Sequence, residues 1–188
     1  MNNITSEQGI SKIIKQDKWM MDVLCAAEKL QLPDWWIGAG FLRNKIWDYI
    51  ENKPSESTRD VDLVYFNSKD TKPETDWAYD DRMKTDYPYA EWEIRNQARM
   101  HSINGFSPFK STADGIFHWT ETATCVGVKI ENETLSYLFC YGTDDLFGLV
   151  ARPTSFFNNE EMIKTFHGRI EKKQWRQRWP DLKVIIDK

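Results

Sequence analysis

A chain of 188 residues with 40% hydrophobic and 29% charged side chains has the balance of a folded globular protein, and the length for one well-buried core rather than two. Its net charge of −4 supplies no overall basic field for nucleic acid or an anionic membrane, and no apolar run is long enough to span a bilayer. The polar opening Met1-Asn2-Asn3-Ile4-Thr5-Ser6 lacks the charged and apolar regions of a signal peptide. Cys25, Cys125 and Cys140 are isolated and lack zinc-type spacing, so both features point to a reduced, cytoplasmic setting.

Between Ser6 and Leu30 the residues Ile10, Ile13, Ile14, Met20, Met21, Leu24 and Ala27 recur at helical spacing, which predicts an amphipathic helix in one or two pieces. Leu32-Pro33-Asp34 ends it, because the residue before a proline avoids helical geometry. Trp35–Ile37 reads as a short apolar strand, Gly38-Ala39-Gly40 as a turn, and the stripe Leu42, Ile46, Tyr49 as a helix from Gly40 or Phe41 to Ile50. A polar loop over Glu51–Ser57 and the pair Thr58-Arg59 lead into a strand at Asp60–Phe66. A helix is predicted over Glu74–Thr85, broken at Tyr87-Pro88-Tyr89. A third strand over Glu91–Arg95 puts Trp92 and Ile94 on one face and Glu91, Glu93 and Arg95 on the other.

Asn96 to His101 start a short helix, and Ser111 with Asp114 has the capping-box pattern of another running to Trp119. Thr124–Ile130 and Leu135–Cys140 form a hairpin, Asp144–Gly148 a helical turn, and Asn159–Arg178 the last helix. Interleaved strands and helices predict a single domain of mixed α/β layer packing. The high aromatic content, 14% with nine Trp, is expected to fill a core and a pocket wall rather than to stack on bases.

Two stretches carry chemistry. A glycine turn opening a helix suits anionic oxygens, since free backbone N–H groups and the helix dipole converge there. Asp60 and Asp62 project from one strand face with carboxylates roughly 6–7 Å apart. Such acids repel each other and suit a divalent cation; magnesium accepts one or two carboxylates together with phosphate oxygens and water. Glu93 is the candidate third acid and Glu91 the fallback. Arg43 and Asn44, in the first turn after the glycines, are candidates for phosphate contact or equally for an ordinary capping or surface role, and Arg59 for pairing with the acids ahead of neutralising phosphate.

Gln97 and Arg99, in the polar run Asn96-Gln97-Ala98-Arg99, would read a base or hold an acceptor. Asn96 also suits a helix start, and His101 a structural role. Asp114, Glu121 and Thr122 are candidates for the acceptor side, although Asp114 already has a capping explanation. Arg169, Lys172, Lys173, Arg176 and Arg178 give the last helix a basic face, read as solvated, with a surface for RNA or an acidic partner as the alternative. Acids alternating on a strand are by themselves an ordinary solvated sheet face. It is the order strand, Gly-Ala-Gly, helix, Asp-x-Asp that points to a metal-bound nucleotide phosphate. No spacing suggests Ser-His-Asp or Cys-His catalysis.

Gly38-Ala39-Gly40 followed by Asp60-Val61-Asp62 resembles the signature of the nucleotidyltransferase superfamily, the fold of polymerase beta and the aminoglycoside nucleotidyltransferases. More closely, Trp36 to Asn44, Asp60 to Phe66, Asn96 to His101, Glu121 to Thr124, Asp144 to Phe147 and Arg152-Pro153 resemble a bacterial nucleotidyltransferase-like family, over about Trp19 to Pro180. The resemblance implies an α/β fold of the α+β type, a mixed β-sheet flanked by helices. It also implies magnesium (or manganese) at Asp60 and Asp62, triphosphate contact at Gly38, Ala39 and Gly40, and transfer of a nucleoside monophosphate to a hydroxyl acceptor, whether small molecule, protein or RNA. Glu93 would then complete the cage and draw a proton from that hydroxyl. The alternative is a catalytically weak or inactive module of the same fold that binds a nucleotide or a partner. The chain departs from the superfamily pattern at Gly40, where many members place a phosphate-binding serine, and at Glu93, where aspartate is more usual.

Overall fold

The computed structural model describes residues 4–54 and 59–186. The opening Met1-Asn2-Asn3, the second half of the polar loop and Thr58 lie outside the described residues. The N-terminal periodicity resolves into two helices, α1 (Glu7–Lys15) and α2 (Lys18–Glu28). Each has its own N-cap: Ser6 accepts from the Gly9 N–H and Asp17 from that of Met20. Then follow β1 (Trp36–Gly38), α3 (Gly40–Ile50), β2 (Asp60–Tyr65), α4 (Pro73–Asp86), β3 (Glu91–Asn96), α5 (Gln97–Met100) and α6 (Thr112–Phe117). The C-terminal part comprises the hairpin β4 (Val126–Glu131) and β5 (Thr134–Phe139), α7 (Asp144–Phe147), β6 (Val150–Ala151), α8 (Glu160–Lys172), α9 (Trp175–Arg178) and β7 (Lys183–Val184).

The main sheet has five strands in the order β3-β2-β1-β4-β5. Only β2 and β3 are parallel, so the sheet is mixed. One face carries Ile37, Val61, Leu63, Ile94 and Val128 into the principal core, where they meet Ile10, Ile14, Leu24, Leu42 and Ile46 of α1–α3. On the other face α6 covers a smaller cluster of Val64, Ile116 and Cys125, flanked by Trp36 and Trp119. That cover stops short of the acidic end of β2 and β3. The edge of β3 is closed by α4: Asp76 accepts from the Asn96 N–H at 3.0 Å and Asp80 from the Ile94 N–H at 2.7 Å. Carboxylates one helical turn apart thus match edge N–H groups two residues apart, which protects a strand that would otherwise offer unpaired donors.

Two expectations needed revision. The last helix is not continuous, because Gln174 adopts a left-handed conformation with φ +51 and starts α9 in a new direction. This turns Trp175 and Trp179 onto Trp47, with ring centroids 5.8 and 4.9 Å away. The parallel pair β6–β7 was not expected, since strands of two residues carry no readable periodicity. Among the described residues no helix is long and apolar enough to cross a membrane, and Cys25, Cys125 and Cys140 are all free thiols.

Candidate active site

Parallel pairing sets Asp60 opposite Glu91 and Asp62 opposite Glu93, so four acids share the sheet face left open by α6. Between them Val61, Leu63, Trp92 and Ile94 point into the core, which fixes the register: a one-residue slip would bury the acids. Asp62 and Glu93 line a cavity of about 340 Å³, while Asp60 and Glu91 lie outside its lining. Burial, then the neighbouring Glu93, pushes the Asp62 carboxyl above the ordinary carboxylate range. Neither the Asp60 nor the Asp62 carboxylate has a hydrogen bond or ion pair among the described residues. Glu93 has one long ion pair, 3.4 Å to Arg95 Nε. Among the described residues no three acids, histidines or cysteines close into a metal cage. Arg59, expected to pair with the acids, makes no ion pair among the described residues and gives its carbonyl to the Glu91 N–H at 2.8 Å.

The glycine turn leaves β1 beside Asp62, since Ile37 stands opposite Leu63. Each of its residues answers a different demand. A Cβ on Gly38 would lie 2.5 Å from Trp119 Cη2, so only glycine lets the indole close over the turn. Ala39 is held at φ +53, ψ −126, a region costly for any residue with a Cβ, and it lines the cavity with Asp62. Gly40 begins α3, whose N-terminus receives no side-chain cap and so keeps backbone N–H groups for another partner.

Other candidate residues are placed differently from expectation. Arg43 and Asn44 sit behind the turn, outside the cavity lining. Arg43 is buried, donates to Thr124 Oγ1 and to Asn44 Oδ1 at 2.7 Å each, and lies 4.1 Å over the Trp175 ring. Its guanidinium is pushed below its usual range by burial. Asn96 is withdrawn from ligand contact because its side chain is fully engaged. Oδ1 accepts from the Asn67 and Ala98 N–H groups, and Nδ2 donates to the Asn67 and Asp70 carbonyls. Arg99 is likewise removed, paired with buried Asp76 on α4. Gln97 alone of that run lines the cavity.

Ser111 caps α6, accepting from the Asp114 N–H at 3.1 Å, while the Asp114 carboxylate accepts from the Lys110 N–H, one residue ahead of the cap, at 2.8 Å. Glu121 and Thr122 do not present an open acceptor side. Glu121 is fully buried and bound by Arg169 at 2.7 Å, and Thr122 donates to Asp145 at 2.6 Å. Arg169 therefore leaves the expected solvated face and lines the cavity. Arg178 leaves it too, paired with buried Asp48 at 2.7 Å, whereas Lys172, Lys173 and Arg176 are exposed. His101 packs edge-on against Phe109.

Sequence reasoning missed Arg169, Arg95 as a cavity-lining cation, and the wall of Phe106, Phe109, His118 and Trp119. Arg169 and its partner Glu121 lie 48 residues apart, beyond any local pattern. The repeated aromatics between Phe106 and Trp119 were the one available signal.

A family model described as nucleotidyltransferase matches residues 25–184. No curated protein matches the chain. Among solved structures, one reported by NMR to reveal a CCA-adding enzyme head domain is 28% identical, with a TM-score of 0.87 over 99% of both chains. A CCA-adding enzyme in complex with CTP is 16% identical, with a TM-score of 0.58 over 94% of this chain and 43% of its own. The complex with ATP gives 14% and 0.54 over 94% and 42%. The chain thus spans less than half the length of these two enzymes, and at that identity the likeness is one of fold. An open acidic sheet face beside a strained turn, on a mixed sheet flanked by helices, is accompanied by a family match over most of the sequence: the chain belongs to the nucleotidyltransferase family.

Proposed function

We propose that the protein transfers a nucleoside monophosphate from a nucleoside triphosphate to a hydroxyl acceptor, with magnesium or manganese held by Asp60, Asp62 and Glu93. The observation that carries this reading is Asp62, half-buried and without a hydrogen-bond partner, beside Glu93 and next to the Ala39 turn. Crowded carboxylates of this kind are costly unless a cation joins them, and oxygen donors are the set that a hard divalent ion takes. When bound, such an ion neutralises the acids and supplies charge stabilisation for the leaving pyrophosphate.

The protein's own groups do the rest. The uncapped N-terminus of α3 and the backbone of Gly38 to Gly40 receive phosphate oxygens. Arg169, fixed by Glu121, and Arg95, fixed by Asp80 at 2.8 Å, bring positive charge to the cavity. Glu93 takes the proton from the acceptor hydroxyl. Catalysis on this reading is positioning and charge stabilisation. The CTP and ATP complexes of the CCA-adding enzymes support a nucleoside triphosphate as donor. The free thiols suit a cytoplasmic location.

The Arg95 contact with Glu93, and the lack of a closed metal cage among the described residues, favour a second reading, a nucleotide-binding module without turnover. Purified protein incubated with labelled nucleoside triphosphates and magnesium separates the two. Pyrophosphate release that disappears in Asp60→Ala and Asp62→Ala supports transfer. Nucleotide binding without release supports the module.

A further inference from the structure

The cavity holds an amide that the transfer chemistry does not use. Gln97 is 2% exposed yet lines the cavity. Its Nε2 donates a single long hydrogen bond, 3.3 Å to the Arg95 carbonyl, and its Oε1 accepts none among the described residues. A Cβ on Gly115 would lie 2.5 Å from that oxygen and 3.0 Å from Gln97 Cβ and Cγ, so α6 closes tightly on the amide and fixes it. Among the described residues that oxygen is not one of the enclosed polar atoms that lack a partner, so it opens on the cavity and is free to accept from a donor placed there.

His118 supplies a second fixed group. Its Nδ1 is 2.8 Å from the Asp114 carbonyl, which only accepts, so Nδ1 carries a proton, and in the neutral ring Nε2 is left as an acceptor. The imidazole is stacked 3.9 Å from Phe156 and lies 4.8 Å from Phe109. Phe106, Phe109 and Trp119 complete an aromatic wall. Ring faces suit a flat ring, and an amide can take an amine and offer its own N–H to a ring nitrogen beside it.

We infer that this wall, Gln97 and His118 form a subsite for a nucleobase carrying an exocyclic amine. The inference rests on the proposed transfer reading only for the direction in which the phosphates lie. Titration calorimetry of the full chain with ATP, ITP and inorganic tripolyphosphate, each with magnesium, tests it, because hypoxanthine lacks the amine of adenine. ATP is expected to bind about tenfold more tightly than ITP. Gln97→Met, of equal length but without the amide, removes that preference and leaves tripolyphosphate binding unchanged. Phe106→Ala, on the half-buried wall, weakens both nucleotides and spares tripolyphosphate.

Equal binding of ATP and ITP by the unaltered protein overturns the inference. ATP binding no better than tripolyphosphate overturns it too, and leaves the phosphate site standing. Adenosine binding that depends on Gln97, where tripolyphosphate does not bind, upholds the subsite while the transfer reading fails. Adenosine displaced by ATP assigns the subsite to the donor's base, and adenosine retained under saturating ATP assigns it to a nucleotide acceptor.

Discussion

The two strands β2 and β3 carry one set of carboxylates and are braced by another, and the fold treats them in opposite ways. At the edge, Asp76 and Asp80 of α4 are buried and fully engaged. Asp76 receives the Tyr65 hydroxyl at 2.7 Å, the Asn96 N–H and Arg99, and Asp80 receives the Ile94 N–H and Arg95. On the open face, Asp60 and Asp62 receive nothing from the described residues and Glu93 only a long contact from Arg95. An engaged carboxylate holds the backbone together. One left without donors beside another acid is electrostatically expensive and keeps its oxygens available to an incoming cation. The first set builds the scaffold and the second is carried by it.

The largest effect that would test this division is catalytic. Asp62→Ala is expected to lower nucleotidyl transfer by about 10³-fold, about 4 kcal/mol of barrier, without lowering the unfolding free energy. Pyrophosphate release and urea denaturation on the same sample measure both quantities. A loss of stability comparable to the loss of rate would erase the distinction between the two sets. Next, Asp76→Ala should destabilise the fold by about 3 kcal/mol, because the buried Asn96 N–H and Tyr65 hydroxyl and the half-buried Arg99 would lose their partner. Denaturant unfolding checks this, and an unchanged midpoint would show that the edge acids brace nothing.

Ala39→Gly is expected to stabilise the protein by about 1 kcal/mol through relief of the φ +53 backbone. A destabilised variant would mean that the turn is not strained. The smallest effect concerns pH. Since the Asp62 carboxyl sits above its ordinary value in the folded protein, the folded state binds its proton more readily than the unfolded chain. Stability is therefore fully present below the ordinary carboxylate range and is lost as pH rises through the elevated value. Asp62→Asn should remove that loss, melting about 2 °C higher than the unaltered protein at pH 7 without metal, with the gap closing in acid. Melting curves from pH 4 to 7 decide it, and a gap that widens in acid would reverse the assignment.

Much of this division was legible in the residues. Alternation at Asp60-Val61-Asp62-Leu63 and Glu91-Trp92-Glu93-Ile94 assigns the acids and the apolar side chains to opposite faces before any coordinates. The Gly-Ala-Gly turn is visible through its place in the order strand, glycines, helix, Asp-x-Asp, because glycines punctuate the chain between periodic segments. The fates of Asn96 and Arg99 were less legible. Both are polar and adjacent to the acidic strand, yet they were claimed by Asn67, Asp70 and Asp76, residues whose reach depends on where α4 docks. Arg43 reads as a phosphate ligand from its place after the glycines. Its burial depends on a tryptophan cluster assembled from α3 and α9, far apart in the chain.

The sequence by itself determined the longer helices and strands, the polarity of the two faces of β2 and β3 and the pairing of a glycine turn with alternating acids, because side-chain periodicity is a local property of the backbone. Only the tertiary structure decided which charged groups were consumed by one another. The Glu121–Arg169 and Asp48–Arg178 pairs, the break at Gln174 and the setting of Gln97 against Gly115 all arise from contacts between segments distant in sequence. Whether a polar group is satisfied or left free depends on those neighbours, and local pattern carries no record of them.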